Sequence, residues 1–227
     1  EAFRGAWLTQ RSRARLHVWN DHRAVAIDIS EASLGKARAL FAKSGLSAEF
    51  IRADGLASFA PAGYGDYAVA LLGMGGELIA DILEKGAPAA RGAKALVMQP
   101  MGGERELRGR LYQSGYAVLD EATVLDAGRY YQLILARRDP QGVLPYEDEA
   151  LLEFGALNYA RRQDALKALL EKVCASRARR MERAKRSGVI PDSLERELSG
   201  ADRGIGGEQR GDGVPGGGDG AGDALRD

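Results

Sequence analysis

Across residues 24–138 short β-rich runs alternate with amphipathic helical runs, and that alternation leaves few folds open. AVAIDIS (24–30) reads as a strand. SLGKARALFAKSGL (33–46) sets Leu34, Ala37, Leu40 and Phe41 on one helical face before Gly45 stops it. AEFIRAD (48–54) is the next strand, and a loop with Pro61, Gly63 and Gly65 leads to YAVALLGM (67–74), whose apolar character predicts a fully buried strand. GGELIADILEKGA (75–87) returns to helical spacing at Leu78, Ile79, Ile82 and Leu83. KALVMQP (94–100) is a strand closed by its proline, and ERELRGRLYQSG (104–115) is amphipathic again. AVLDEATVL (117–125) and RYYQLILARR (129–138) flank Asp126-Ala127-Gly128 and predict a hairpin, with one of Tyr130 and Tyr131 packed inward and the other exposed. The whole predicts an α/β fold: a parallel, Rossmann-like sheet with helices on both faces and one antiparallel edge.

In open sheets of this kind ligands lie at the carboxyl ends of the strands. Those ends carry Asp28, Asp54, Gly73 to Gly76, and Gln99-Pro100, which are expected to converge. The stretch LLGMGGELIADIL (71–83) runs from strand through glycine turn to helix, the plan of a nucleotide site, because glycines let a ligand approach the main chain. The same plan serves plain α/β packing, so the glycines alone decide nothing. Asp28 and Asp54, taken singly, divide evenly between capping and ligand-binding carboxylates; at successive strand ends they favour binding.

After residue 145 the composition changes. Residues 146–188 are almost all helix formers, with Leu166, Leu169, Leu170, Val173 and Met181 as a broken apolar stripe. Ten basic residues between positions 161 and 186 face three acidic ones, a local excess of seven positive charges in a chain whose 32 basic and 32 acidic residues cancel. Neutrality excludes a uniform nucleic-acid coat and leaves room for a local patch. The segment predicts a helical hairpin or short coiled coil, with PDSLERELSGADR (191–203) returning. Arg161, Arg162, Arg177, Arg179, Arg180 and Arg183 are its candidate phosphate contacts, and a solvated helix face is the plainer alternative. GIGGEQRGDGVPGGGDGAGDALRD (204–227) holds ten of the thirty glycines and reads as disordered.

The organisation is therefore an atypical segment at 1–23, a sheet domain at 24–144, a basic helical extension at 145–203 and a glycine-rich tail. The lone Cys174 forms no internal disulfide, which predicts a cytosolic chain, and it packs beside the apolar stripe. No apolar run reaches membrane-spanning length, residues 1–23 lack the apolar core of a signal peptide, and no cluster has metal-ligand spacing. His17 and His22 read as incidental. By composition, 1–23 and 204–227 read as out-of-frame translation of a GC-rich gene or as a divergent fragment.

AIDIS, SLGKARALFAKSGL, RADGL, LLGMGGELIADIL, LVMQP and LRGRLYQSGYAVLDEATVLDAGRYYQLILA follow one another in the order of a known family. Over roughly residues 24–154 the chain resembles the bacterial tRNA adenine-22 N1-methyltransferases, class I enzymes that use S-adenosylmethionine. The basic extension resembles their C-terminal coiled-coil domain more loosely. The resemblance implies that Asp28, with Ile29 beside it, holds the cofactor ribose, and that Asp54 and Gly55 hold the adenine edge. It implies that Gly73, Met74, Gly75 and Gly76 stand beside the transferred methyl and leave room for a flipped adenine, with Gln99 and Pro100 on the substrate side. It implies a cytoplasmic, monomeric enzyme with tRNA as partner and no metal. No general base is evident: adenine N1 has its own lone pair, and in-line placement supplies most of the acceleration.

Two features depart from the family. Its members open on an Asp-x-Gly-x-Asp-His motif, which residues 1–23 do not contain; Asn20-Asp21-His22 lies too close to Asp28 for a helix between them. Met101 stands where asparagine commonly follows the Gln-Pro pair. Three other readings stay open: a methyltransferase-like fold that only binds RNA, another nucleotide-dependent α/β enzyme such as a dehydrogenase, and a protein-binding helical adaptor. Against the dehydrogenase, no G-x-G-x-x-G follows the first readable strand.

Overall fold

The computed structural model describes residues 24–143, Tyr146 and residues 148–187; the expectations for 1–23, 191–203 and 204–227 lie outside the described residues. The sheet region runs β1 (Val25–Asp28), α1 (Glu31–Lys43), β2 (Glu49–Arg52), β3 (Ala68–Met74), α2 (Gly76–Lys85), α3 (Ala87–Gly92), β4 (Ala95–Pro100), α4 (Glu104–Gln113), β5 (Tyr116–Asp126) and β6 (Arg129–Arg138). The extension adds α5 (Glu149–Phe154), α6 (Ala156–Arg161) and α7 (Asp164–Ser187). β1 pairs in parallel with β2, and the other strands form a second sheet in the order β3-β4-β6-β5. In that sheet β3 and β4 are parallel, while β6 runs antiparallel to both of its neighbours.

One face of the four-stranded sheet makes the core. Val69, Leu71, Leu96, Met98, Ile134 and Ala136 alternate inward and meet Ile79, Leu83, Ala89, Ala90, Leu107 and Leu111 from α2, α3 and α4. The opposite face carries Ala70, Leu72, Val97, Leu133 and Leu135, all half-buried and in neither apolar cluster. β3 is thus not the fully buried strand its apolar run predicts, because only its Val69 and Leu71 side meets the described helices. In α1, Leu34 and Phe41 are buried and Phe41 sets its edge on Phe50 with centroids 5.7 Å apart, but Leu40 stays 37% exposed. The short, alanine-rich α3 has no apolar period to reveal it.

The β5–β6 turn matches the sequence reading. Ala127 (φ 47°) and Gly128 (φ 78°) both occupy the left-handed region, as the two central residues of a primed hairpin turn must. Alanine is strained there where asparagine is tolerated. Ala127→Asn is expected to raise stability by about 0.5–1 kcal/mol in urea denaturation.

The extension is three helices where the sequence suggests nearly continuous helix. Gly155 breaks it at φ 90°, and a Cβ there would lie 2.3 Å from an oxygen of the Glu121 carboxylate. Arg162 breaks it again in the left-handed region before α7 begins. Ala150, Phe154, Leu166 and Leu170 then form a second apolar cluster. Tyr130 and Tyr131 are both half-buried, and the Lys172 ammonium lies 5.3 Å from the Tyr130 ring centroid. Lys172 belongs to α7, so Tyr130 gains a cover that strand alternation alone does not foresee.

Candidate functional site

Strand-end geometry builds the site from two directions. At the end of β1, Asp28 Oδ1 accepts the Ser30 N–H at 2.7 Å, and Ser30 in turn caps α1. The Asp28 carbonyl accepts from Ala53 N–H at 3.2 Å, which ties this end to the end of β2. Asp28 Oδ2 has no partner among the described residues. Ile29 follows at 65% exposure, its carbonyl accepting from Arg52 Nε. Asp54 is exposed, and Gly55, at φ 59°, lets the loop lie against Ile82 of α2. Through Ile82 the second strand end is brought to the helix that starts at Gly76.

The other direction is the glycine junction. The β3–β4 register slips between Leu72 and Met74, with Gly73 bulged at φ 75°. Gly73 N–H donates to Gln99 Oε1 at 3.1 Å, while Gln99 Nε2 donates to the Pro100 carbonyl at 2.7 Å and reaches Met101 Sδ at 3.3 Å. Gln99 is buried, so its amide fixes the two strand ends to each other. Met101 N–H donates to the Met74 carbonyl at 2.8 Å, and Gly76 N–H donates to the Gly102 carbonyl at 2.7 Å. A Cβ on Gly76 would stand 2.0 Å from the Gly103 carbonyl oxygen. The bare backbone therefore has two separate causes. Gly76 is bare because the 101–103 loop lies against it, whereas a Cβ on Gly75 would meet nothing within 4 Å. The room expected for a ligand is at Gly75.

The predicted basic set divides. Arg177 is buried, donating to both Glu153 oxygens at 2.6 and 2.7 Å. Arg161 pairs with the Asp120 carboxylate and donates to the Glu121 carbonyl at 3.0 Å. These two serve the framework; a charge run in sequence does not reveal which cations have a carboxylate folded onto them. Arg162, Arg179, Arg180 and Arg183 are exposed.

Sequence reasoning missed Arg108 altogether. Its guanidinium, fully buried, donates to Glu121 Oε1 at 2.7 Å, to Gln132 Oε1 at 2.8 Å, and to the Leu152 and Glu153 carbonyls at 2.9 Å each. Glu121 Oε2 accepts from Leu157 N–H at 3.0 Å. One buried cation thus joins α4, β5, β6, α5 and, through Glu121, α6. The signal was the inward register of Glu121 and Gln132 on their strands, which sets two polar groups facing the core and asks for a partner.

Burial pushes the Tyr146 and Tyr159 phenols up to about 12, too high for either to act as a base near neutral pH, and burial also raises the Glu104 carboxyl. A groove of about 570 Å³ between α2 and α4 is lined by Glu77, Asp81, Arg105, Glu106 and Arg110. Arg110 fills part of it by pairing with Asp81 at 2.6 Å and with Glu84, so its charges satisfy one another. Among the described residues no cluster of His, Cys, Asp and Glu is arranged to hold a metal ion, and no helix is long and apolar enough to cross a membrane.

No curated protein matches the chain. Among solved structures, the Bacillus subtilis m1A22 tRNA methyltransferase TrmK is 25% identical with a TM-score of 0.64, over 80% of this chain and 79% of that one. Mycoplasma capricolum TrmK, solved with S-adenosyl-homocysteine, is 18% identical with a TM-score of 0.65, over 80% of each chain. A Listeria monocytogenes protein of uncharacterised function shares 20% identity and the fold, with a TM-score of 0.72 over 80% of this chain and 82% of that one. Four-fifths of the chain is more than the sheet region alone holds, so the likeness extends into the helices after β6. A methyltransferase-domain family model matches residues 16–134, which take in the β1–β2 sheet, the glycine junction and the second sheet as far as the middle of β6. That is more than half of the sequence, and the chain belongs to the methyltransferase domain family.

Proposed function

We propose that this chain transfers a methyl group from S-adenosylmethionine to N1 of adenine 22 in tRNA, as a cytoplasmic monomer. The observation that carries the reading is the likeness to the Bacillus subtilis m1A22 enzyme over four-fifths of both chains, helical extension included. The strand ends fit the cofactor. Asp28 keeps one carboxylate oxygen on the α1 cap and offers the other to the ribose hydroxyls, with Ile29 beside it. Asp54 and Gly55 take the adenine edge, and Gly73, Met74, Gly75 and Gly76 border the reacting methyl. When bound, the cofactor supplies an electrophilic sulfonium methyl. The protein's part is placement: adenine N1 attacks with its own lone pair, so no side chain needs to remove a proton first. Gln99 and Pro100 shape the junction from beneath, and Arg162, Arg179, Arg180 and Arg183 receive phosphates.

Mass spectrometry of an unmodified tRNA transcript incubated with the chain and cofactor tests the reading; N1-methyladenine is expected at position 22 and nowhere else. Cofactor binding without that product would make the substrate wrong, and tRNA binding without cofactor binding would leave an RNA-binding module. Asp28→Ala is expected to weaken cofactor binding about 10- to 100-fold in calorimetry, the loss matching hydrogen bonds to a charged group, while the domain stays folded and loses only the roughly 1 kcal/mol of the Ser30 N–H bond. Reversing charge at Arg179, Arg180 and Arg183 is expected to weaken tRNA binding and reduce its salt slope by roughly two to three. An unchanged slope would remove α7 from the RNA interface.

A further inference from the structure

The β5–β6 hairpin extends past the end of the strand beside it. β6 pairs with β4 at Leu96↔Ala136, Val97↔Leu135 and Met98↔Ile134. Continued by three residues, that register sets Gln99 beside Leu133 and Met101 beside Tyr131, where β4 leaves the sheet. On the far side of β6, Val124 lies directly opposite Tyr131. Side chains alternate across a strand, so Tyr131 and Val124, directly opposite each other, share the sheet face away from the α2–α4 core. Met101, past the end of β4, sets its Sδ 3.3 Å from the Gln99 amide, whose β4 position faces the same side, and so prolongs the row. Met101 is 50% and Val124 41% exposed, with the half-buried Tyr131 ring between them. Arg129, also exposed, stands two residues further along the same face, about 7 Å from Tyr131 at strand spacing.

A solvated hairpin end ordinarily carries polar side chains, and an apolar row with an aromatic centre marks a surface that receives something. Its position selects the occupant. The Met101 main chain is bonded to Met74 at the glycine junction, so the row is continuous with the place where methyl transfer is proposed. A thioether, a phenol ring and a branched methyl group match the face of a nucleobase, and the cation beyond them matches its phosphate. We infer that Met101, Tyr131 and Val124 form a shelf on which one unpaired base of the RNA stacks beside the junction, with Arg129 on the adjoining phosphate. This inference rests on the tRNA reading above.

The test uses the full chain and tRNA transcripts carrying 2-aminopurine at the target position or at either neighbour. Wild-type protein is expected to quench the fluorescence of at least one of these as the base stacks. Tyr131→Leu keeps apolar bulk without a ring; it is expected to lose that quenching and raise KM for tRNA about tenfold, within the range for base-on-aromatic stacking. Tyr131→Phe is expected to behave as wild type in both readouts, and cofactor affinity is expected to be the same in all three. If Tyr131→Leu fails to fold, Met101→Ser with Val124→Ser carries the same expectation at exposed positions. Wild-type methylation with unaltered quenching and KM in these variants would overturn the shelf alone. Absence of any tRNA binding by the wild type would overturn the shelf together with the tRNA reading.

Discussion

Arg108→Ala is expected to lower stability by about 3–5 kcal/mol, measured as a shift of the urea unfolding midpoint at constant slope. The variant strands a carboxylate: Glu121 is 2% exposed, and without the guanidinium its charge has only the Leu157 N–H for company. It also removes a donor from Gln132 and from two α5 carbonyls. Arg108→Met combined with Glu121→Leu is expected to cost less than Arg108→Ala alone, since no isolated charge remains. A loss below about 1 kcal/mol for Arg108→Ala would mean that the apolar cluster around Phe154 and Leu166 holds the extension by itself. Below its melting range Arg108→Ala is further expected to weaken tRNA binding more than cofactor binding, because the network fastens α5 and α6 to the sheet while the cofactor residues lie at other strand ends.

Periodicity made the strands and long helices legible, because each has a face to bury and that face repeats. It was silent where a tertiary contact overrode local pattern. Gly155 interrupts a run of helix formers because the Glu121 carboxylate occupies the space a side chain needs. Leu40 lies on the predicted apolar face of α1 yet stays exposed, since the Phe50 ring is taken by Phe41 and by the Arg38 guanidinium, 5.2 Å from its centroid. At the site, the identities of the strand-end residues were legible and their jobs were not. Gln99 reads as a substrate contact in sequence, and in the fold its amide holds Gly73 and Pro100. Likewise Arg161 and Arg177 cannot be told from the rest of the basic run until the carboxylates of Asp120 and Glu153 are seen beside them.

Gly75 and Gly76 are identical in sequence and are expected to respond oppositely to substitution. Gly76→Ala places a Cβ 2.0 Å from the Gly103 carbonyl oxygen and 2.6 Å from its carbon, both main-chain atoms that cannot rotate away. Relief requires the 101–103 loop to move, breaking the Gly76 N–H bond to Gly102. The expected cost is about 2–3 kcal/mol, the upper range for overpacking, with methyl transfer falling as the junction shifts. Gly75→Ser introduces its side chain into open space at φ −63° and ψ 146°, a conformation any residue adopts, and supplies α2 with the N-cap hydroxyl it lacks. That variant is expected to be as stable as wild type or more stable by about 0.5 kcal/mol, and still to lose methyl transfer because the side chain fills the room proposed for the adenine. Loss of activity at both positions with loss of stability only at Gly76 would separate a glycine kept for packing from one kept for substrate. Full activity in Gly75→Ser would mean the base approaches from elsewhere, and the space beside the junction would need another occupant.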